Sequence, residues 1–512
     1  MSQQFALSSQ TGQWTITATI LASSMAFIDS TALNVILPSL QQDLSATGSD
    51  LFWVLNSYLL MLAALIILGG SLGDQFGRIK IFQVGITIFT IGSISCGISP
   101  NIDILILSRG LQGIGGALMI PGSLSIIAST IISEEKGKAI GTWSAITTVV
   151  TICGPLLGGL LGDLGLWRVI FYVNVPLGIA SFLILQFKVP ESKSDETKRI
   201  DWLGAFTLVL GLTLLTLGFL QMPELGFKHW FIWTALIAGT GLLITFLIIE
   251  RYATNPMVPL SMFRSKTFTG VNLLTFFLYA SLGGITLFLS LNIIQIQQYS
   301  QLQAGLTFLP FSLVMMLLAR RMGALADKYG ARNLLIIGPA TAAIGVFWIG
   351  QIGETNGPEE YWTTYFPGFI TFAIGLAITV VPLTTVVMSC LGEQKSGIAS
   401  GINNSVTRIS GTFINAVLGA VGLALFSQFI TQSPEFLNLP DDMQHLVLEE
   451  VKNFGEATAP DVLAAEQKEV INHLFKQAFL KVYNIVGIIC GALAGLSAVI
   501  AFLTIGKKKK QD

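Results

Sequence analysis

Residues 27–38 read Phe27-Ile28-Asp29-Ser30-Thr31-Ala32-Leu33-Asn34-Val35-Ile36-Leu37-Pro38, which places one acidic residue in a run long enough to cross a bilayer. Between Trp14 and Leu37, Asp29 is the only ionisable residue. A carboxylate at the centre of a membrane helix costs about 2.5–3.5 kcal/mol, so such a residue usually faces a polar cavity or a partner. Asp29 is therefore a candidate functional residue. The alternative is that Asp29 only pairs with a neighbouring helix for structure.

Composition assigns the chain to the membrane proteins. Its 512 residues are 52% hydrophobic and 11% charged, with a mean hydropathy of +0.71, whereas a soluble domain has about 25% charged residues. The net charge of −1 argues against nucleic acid as a partner, because binding phosphates requires a clustered basic surface. The four cysteines lie in apolar runs without Cys-x-x-Cys spacing, which predicts neither a disulfide framework nor a metal site.

Fourteen apolar stretches are long enough to be transmembrane helices. They lie near residues 14–37, 52–72, 81–99, 104–127, 139–161, 169–187, 203–221, 230–249, 268–296, 304–323, 333–351, 364–389, 397–426 and 480–505. The loops after even-numbered spans carry most of the Lys and Arg residues, whereas the loops after spans 1, 3, 9 and 11 carry none. The positive-inside rule therefore predicts cytoplasmic N- and C-termini. We expect a multi-pass protein of the plasma (inner) membrane.

An internal repeat divides the chain. Residues 70–78 read Gly-Ser-Leu-Gly-Asp-Gln-Phe-Gly-Arg and end span 2, and residues 323–332 read Gly-Ala-Leu-Ala-Asp-Lys-Tyr-Gly-Ala-Arg and end span 10. Two six-span halves separated by two extra spans fit this spacing, as in duplicated transporters. We expect a six-helix bundle over 1–188, two linker spans over 189–266, and a second bundle over 267–512 with an external loop, 427–479. Helical spacing around residues 462–471 predicts a helical hairpin in that loop, and a plain surface loop is the alternative.

Three charges lie well inside spans: Asp29, Arg109 and Arg408. Helical rise places Asp29 roughly 13 Å and Arg109 roughly 9 Å from the outer ends of spans 1 and 4, so both could face one cavity. A neighbouring Arg favours the ionised carboxylate and desolvation favours the neutral acid. Movement between a wet and an occluded state would therefore change the proton affinity of Asp29, which proton coupling needs. A static Asp–Arg salt bridge is the alternative.

Two glycine-rich segments lie within spans. Residues 110–117, Gly-Leu-Gln-Gly-Ile-Gly-Gly-Ala, partly match a dinucleotide fingerprint, but no strand precedes them, so close helix packing explains them better. In span 5, Gly154-Pro155 and Gly158-Gly159 predict a bend and a tight contact.

Together these segments resemble the major facilitator superfamily. Residues 70–78 look like its cytoplasmic loop signature, residues 105–113 like its span-4 signature, and residues 154–159 like its antiporter signature. Residues 29–38, 167–178 and 298–310 are similar, more narrowly, to the fourteen-span drug:proton antiporters. The chain departs from these patterns at Gln75, Ile79, Val169 and Gln298.

The resemblance implies an all-α polytopic fold of two six-helix bundles plus two extra spans. It also implies a monomeric proton-coupled antiporter that exports amphiphilic compounds by alternating access, driven by the proton gradient without a cofactor. Asp29 and Arg109 would couple protons. Substrate would contact Asn34, Tyr58, Gln112, Asn403 and Arg408. The gating residues would be Gly70, Asp74, Gly77, Arg78, Gly154, Pro155, Gly158, Gly159 and Asp327.

With one buried acid and none in spans 9–14, the expected substrate is a lipophilic monocation or a neutral molecule. Export of an endogenous lipid, siderophore or metabolite on the same scaffold is the alternative. A phosphate loop, a His-Glu-x-x-His motif and a Gly-x-Ser-x-Gly elbow are absent from the sequence, which argues against an enzyme.

Overall fold

The computed structural model of the chain describes residues 4–132, 135–192, 201–226, 228–254, 256–391 and 396–506. Within these ranges the chain is helical, and its only β-type pairing is an isolated bridge between Phe5 and Ile131. The helices are α1 Gln10–Leu44, α2 Gly48–Phe76, α3 Arg78–Gly97, α4 Ile102–Thr130, α5 Lys136–Asp163, α6 Val169–Lys188, α7 Trp202–Leu225, α8 Trp230–Tyr252, α9 Lys266–Leu291, α10 Gln301–Thr307, α11 Leu309–Tyr329, α12 Arg332–Gly350, α13 Tyr365–Ser389, α14 Ser396–Thr431, α15 Pro434–Leu437, α16 Asp441–Glu450 and α17 Ala465–Thr504. A π-helical turn, Asn292–Ile296, extends α9, and a 3₁₀ segment, Val451–Glu456, follows α16.

The described helices include thirteen that are long and apolar enough to span a membrane. The described apolar part of α5, Val149–Asp163, is shorter. The chain is thus a multi-pass all-α membrane protein, as predicted, and the count of fourteen spans stays a prediction.

The internal repeat adopts one conformation twice. Gly77 ends α2 with φ +112° and Gly330 ends α11 with φ +85°, and a new helix follows each glycine within two residues. Positive φ is strained for residues with a Cβ, so glycine permits the sharp reversal between two antiparallel spans.

The helices pack in two groups with a pair beside them. In the first group α4 packs on α2 and α3, and α1 packs on α5 and α6. In the second group α12 packs on α13 and α17, and α9 packs on α14 and α17. The α7–α8 pair contacts α2 of the first group and α14 of the second. The boundaries at 188 and 266 remain a prediction.

The two ends of the helical assembly differ in their contacts. At the end we call the loop end, Gln41 Nε2 donates to the Asn453 carbonyl at 3.0 Å, and Gln295 Nε2 donates to Gln41 Oε1 at 3.3 Å. At the opposite end, the termini end, Phe5 N donates to the Thr130 carbonyl at 2.7 Å and Arg332 binds carbonyls at the end of α17. The connection 432–464 therefore joins the two groups at the loop end.

The predicted hairpin within residues 427–479 takes a different form. Helices α15 and α16 and the 3₁₀ segment occupy the first part, while residues from Ala465 onward belong to α17, which continues without a break to Thr504. The stretch around 462–471 is thus largely helical as predicted, but it is the start of the last transmembrane helix.

Candidate functional site

A buried ion pair joins α1 to α4. Asp29 and Arg109 are each 1% exposed, and Arg109 Nη1 donates to Asp29 Oδ2. Arg109 Nε donates to the Val54 carbonyl at 3.3 Å, and its guanidinium lies 4.4 Å from the centre of the Tyr58 ring. Breaking such a pair by removing one partner leaves a buried charge and costs about 3–5 kcal/mol. The sequence placed both residues at similar depth facing one cavity, and the structure brings them into direct contact.

Amide and hydroxyl groups complete the surroundings of the carboxylate. Gln112 Nε2 donates to Asp29 Oδ1 at 3.2 Å and to Ser93 Oγ at 2.7 Å, while its Oε1 accepts from Arg109 Nη1 at 2.7 Å. Asn174 Nδ2 donates to the same Ser93 Oγ at 3.0 Å. Four helices, α1, α3, α4 and α6, therefore contribute to one buried polar network.

A cavity of about 600 Å³ lies between the two groups of helices. Its walls come from α1, α2, α4 and α5 on one side and from α9 and α11–α14 on the other. Five predicted site residues line it: Asn34, Tyr58, Arg109, Asn403 and Arg408. Asp29 and Gln112 do not, because both are turned into the polar network behind Arg109. Arg109 is thus the group that links the cavity to the carboxylate.

The two predicted lining residues on α14 differ in their partners. Asn403 Nδ2 donates to Thr275 Oγ1 at 2.7 Å and to Asn272 Oδ1 at 3.2 Å, so it ties α14 to α9. Arg408 is partly exposed in the cavity, and its guanidinium has no hydrogen-bond or ion-pair partner in the part of the chain that the structure describes.

The predicted gate at the end of α2 has a partner that the sequence did not reveal. Glu191 accepts hydrogen bonds from the backbone N–H groups of Ile79 at 2.9 Å and Lys80 at 3.0 Å, and a Cβ on Gly77 would lie 2.9 Å from its carboxyl carbon. The helix N-terminus favours an anion at this place. Arg78 N donates to the Ser192 carbonyl at 2.9 Å. The side chains of Asp74 and Asp327 lie outside the described residues, and a Cβ on Gly70 would lie 3.9 Å from Pro121, with no other described atom within 4 Å.

The glycines of α5 bring three helices together. A Cβ on Gly158 would lie 2.7 Å from the Ala32 carbonyl oxygen, and Gly154 packs against Thr31 in the same way. Gly159 faces the backbone at the start of α10, and the Pro155 carbonyl faces Gly305 of α10. The segment Gly154–Gly159 therefore holds α5 against α1 of its own group and against α10, which precedes α11.

Several polar residues of the site were not predicted. Ser93, Asn174 and Asn415 are buried, and the sequence signal that could have found them is their position as polar residues inside apolar spans. The aromatic lining residues, such as Phe311 and Phe372, carry no such signal, because phenylalanine is common throughout the membrane segments. The described residues contain no group of His, Cys, Asp and Glu that could hold a metal ion.

Comparison with known proteins identifies the family. The profile of the Major Facilitator Superfamily matches residues 19–415. The chain belongs to the major facilitator superfamily. It is 31% identical over 442 residues to the multidrug resistance protein Stp of Mycobacterium tuberculosis, covering 85% of this chain and 80% of that protein. It is 27% identical over 500 residues to the tetracenomycin C resistance and export protein of Streptomyces glaucescens, covering 96% and 91%.

Solved structures agree on the fold. A bacterial homolog of the human lysosomal transporter Spinster, in an inward-facing and occupied conformation, superposes with a TM-score of 0.65 over 97% of each chain. Its sequence identity is 17%, so the likeness concerns the fold alone. Together these findings establish a superfamily transporter whose curated relatives include drug and antibiotic resistance proteins.

Proposed function

We propose that this transporter exports amphiphilic compounds across the plasma membrane in exchange for protons. The named relatives support export, since one is called a resistance and export protein and another a multidrug resistance protein. The observation that carries the coupling is the buried Asp29–Arg109 pair with Arg109 lining the cavity. An ionisable residue at this depth is a default functional site.

Asp29 carries the proton in this proposal. Arg109 contacts Asp29 and lines the cavity, so the charge state of Asp29 affects the cavity through Arg109. While the carboxylate is ionised, Arg109 is held beside it and against Tyr58. Protonation removes the anion from a buried pair, so the Arg109 cation is stable only if it gains water or another anion. A conformation with a wet cavity supplies the water. Proton uptake would therefore change the balance between conformations, as alternating access requires.

The test is transport into or out of reconstituted vesicles that carry an imposed pH gradient. The assay uses a panel of fluorescent amphiphiles that are anionic, neutral or cationic. We expect at least one compound to move in a gradient-dependent way in the wild type. Asp29→Asn should abolish this dependence.

Asp43→Asn is the matched control, because Asp43 lies on the same helix and also pairs with an arginine, Arg168, but at the loop end and partly exposed to solvent. It should retain coupled transport. Transport by Asp29→Asn that follows the pH gradient as the wild type does would refute the proposal. So would wild-type transport that continues unchanged after the gradient is collapsed.

A further inference from the structure

Within the described part of the chain, the central cavity contains an unpaired positive charge and no negative one. Among the described residues that line it there is no Asp, Glu or Lys, and its two charged side chains are Arg109 and Arg408. Arg109 is neutralised by Asp29. Arg408 has no such partner within the described ranges. We propose that the cavity binds an anionic amphiphile whose acidic group pairs with Arg408. This proposal rests on the proposed function, because it assigns the charge of the exported compound.

Helix α14 presents Arg408 within a polar stripe. Asn404, Arg408, Gly411 and Asn415 all line the cavity, and their spacing of four, three and four residues places them on one face of the helix. Gly411 leaves the middle of the stripe without a side chain, and a Cβ there would meet no described atom within 4 Å. The stripe therefore offers an open path along α14 from the guanidinium to Asn415.

Asn415 supplies a second, independent indication of a ligand. Its side chain is 6% exposed and its Oδ1 has no hydrogen-bond donor within the described part of the chain. Buried polar atoms are nearly always satisfied by protein, water or ligand. Asn415 lies seven residues from Arg408, roughly 10 Å along the helix. The stripe thus fits a molecule with an acidic group at one end and an N–H or O–H donor about 10 Å away.

Aromatic rings form the opposing wall. Phe308 packs on Phe369 with ring centres 5.3 Å apart, and Phe311 packs on Phe372 at 5.4 Å. All four rings line the cavity, whose volume of about 600 Å³ falls within the range of drug-sized sites. This wall would receive the apolar body of the ligand while α14 receives its polar groups.

The same geometry disfavours the monocation expected from the sequence. A carboxylate is the group that best compensates the desolvation of a cationic ligand, yet the side chain of Asp29 is 0% exposed and lies behind Arg109. A cation in this cavity would face Arg408 without compensation. An anion also gains from a membrane potential that is negative inside, because the potential drives it outward.

Binding of three matched probes to the purified protein tests the charge assignment. Dansylglycine carries a carboxylate, dansylglycinamide is its neutral analogue, and N-(2-aminoethyl)dansylamide is its cationic analogue. In the wild type the carboxylate should bind tightest and the amine weakest. Arg408→Gln should weaken dansylglycine by about 10- to 100-fold and leave the neutral probe within about twofold. Arg408→Lys should recover part of the loss.

Arg321→Gln is the control, because Arg321 is exposed on α11 and does not line the cavity. It should bind all three probes as the wild type does. If Arg408→Gln does not fold, the order of the three probes in the wild type still decides. Equal affinity of the three probes, or tightest binding of the amine, would overturn the proposal.

Transport of the same probes separates this proposal from the proposed function. Movement of the neutral or cationic probe under a pH gradient, without movement of dansylglycine, would leave proton-driven export intact and overturn the anion assignment. Absence of movement for all three probes, with binding in the expected order, would instead contradict export and support the anion site.

The dependence of transport on membrane potential gives a second comparison. For an equal number of protons per cycle, export of the anionic probe moves one more net positive charge inward than export of the neutral probe. Transport of the anionic probe should therefore depend more steeply on membrane potential.

Discussion

Removal of one aromatic ring is expected to open the cavity from the loop end. Phe454 of the 3₁₀ segment is 2% exposed and lies between the two groups of helices. Its ring centre is 6.4 Å from Phe52 of α2, 6.0 Å from Phe288 of α9, 5.2 Å from Phe426 of α14 and 5.0 Å from Phe479 of α17. The ring therefore belongs to one cluster that spans both groups, and separating the groups would divide that cluster.

The size of the effect follows from burial. Replacing a buried Phe by Ala costs about 3–5 kcal/mol, and about 1.4 kcal/mol corresponds to a tenfold change in an equilibrium. Phe454→Ala should therefore shift the equilibrium towards the open loop end by up to about three orders of magnitude. This is an upper bound, because the hydrogen bond from Gln41 to the Asn453 carbonyl remains.

Labelling of a cysteine in the cavity measures the opening. Ser312 lines the cavity, so Ser312→Cys in a background without the partly exposed Cys153 and Cys390 provides the target. A membrane-impermeant maleimide is added from the loop-end side. Phe454→Ala should raise the labelling rate at least about tenfold, which is well below the upper bound of about three orders of magnitude on the opening equilibrium.

Phe436→Ala is the matched control, because Phe436 is 4% exposed in the same connection but belongs to α15, which packs on α14 and α17. It should destabilise the protein without speeding labelling. A labelling rate for Phe454→Ala within twofold of the wild type, or an equal rise for Phe436→Ala, would refute the reasoning.

Three further predictions concern other contacts. Burial raises the pKa of Glu456 to about 7, although hydrogen bonds from Gln295 and Gln42 partly oppose this rise. The packed 3₁₀ segment Val451–Glu456 is therefore most stable below pH 4.5, the ordinary pKa of a glutamate, and it loses this stability as pH rises through about 7. Hydrogen exchange of residues 451–456, corrected for intrinsic rates, should quicken over that range, and Glu456→Gln should remove the dependence. Gly158→Ala should cost about 1–3 kcal/mol by pressing on α1 and lower the unfolding temperature. Gly141→Ala on the same helix should not, because a Cβ there would meet no described atom within 4 Å. Glu191→Ala should cost about 1 kcal/mol at the start of α3 and speed hydrogen exchange there, with no comparable change at the start of α12.

The fold was largely predictable, because hydropathy marks the positions of the spans and the internal repeat marks the ends of two of them. The predicted spans 203–221 and 230–249 fall within α7 and α8, and the repeated glycines end helices at both predicted places. The form of the connection at the loop end was not predictable. Helix α17 extends from the membrane into an amphipathic stretch that begins at Ala465, and hydropathy marks only the apolar part of such a helix.

The sequence indicated how deep the site residues lie in the membrane, but not which way their side chains point. Helical rise along two spans sufficed to bring Asp29 and Arg109 together. The same reasoning could not decide that Gln112 faces the carboxylate, because α4 carries small or apolar residues on every face and its polar residues are too few to mark one side. Burial of Asn415 likewise depends on the close approach of α9 at Gly283, where a Cβ would lie 3.6 Å from Asn415 Oδ1. A single chain does not reveal such an approach.

The Asp29 carboxylate and the Arg408 guanidinium are separate groups, and this separation constrains how protons and cargo would be coupled. If both competed for Asp29, the cargo would have to be a cation that reaches it, and the enclosed side chain does not offer that contact. If the cargo binds Arg408, proton and cargo occupy different groups and can affect each other only through the conformation. Arg109 is placed to do this, because it contacts Asp29 and lines the cavity. Linkage then requires that cargo binding shift the proton affinity of Asp29 by the factor by which protonation shifts cargo affinity.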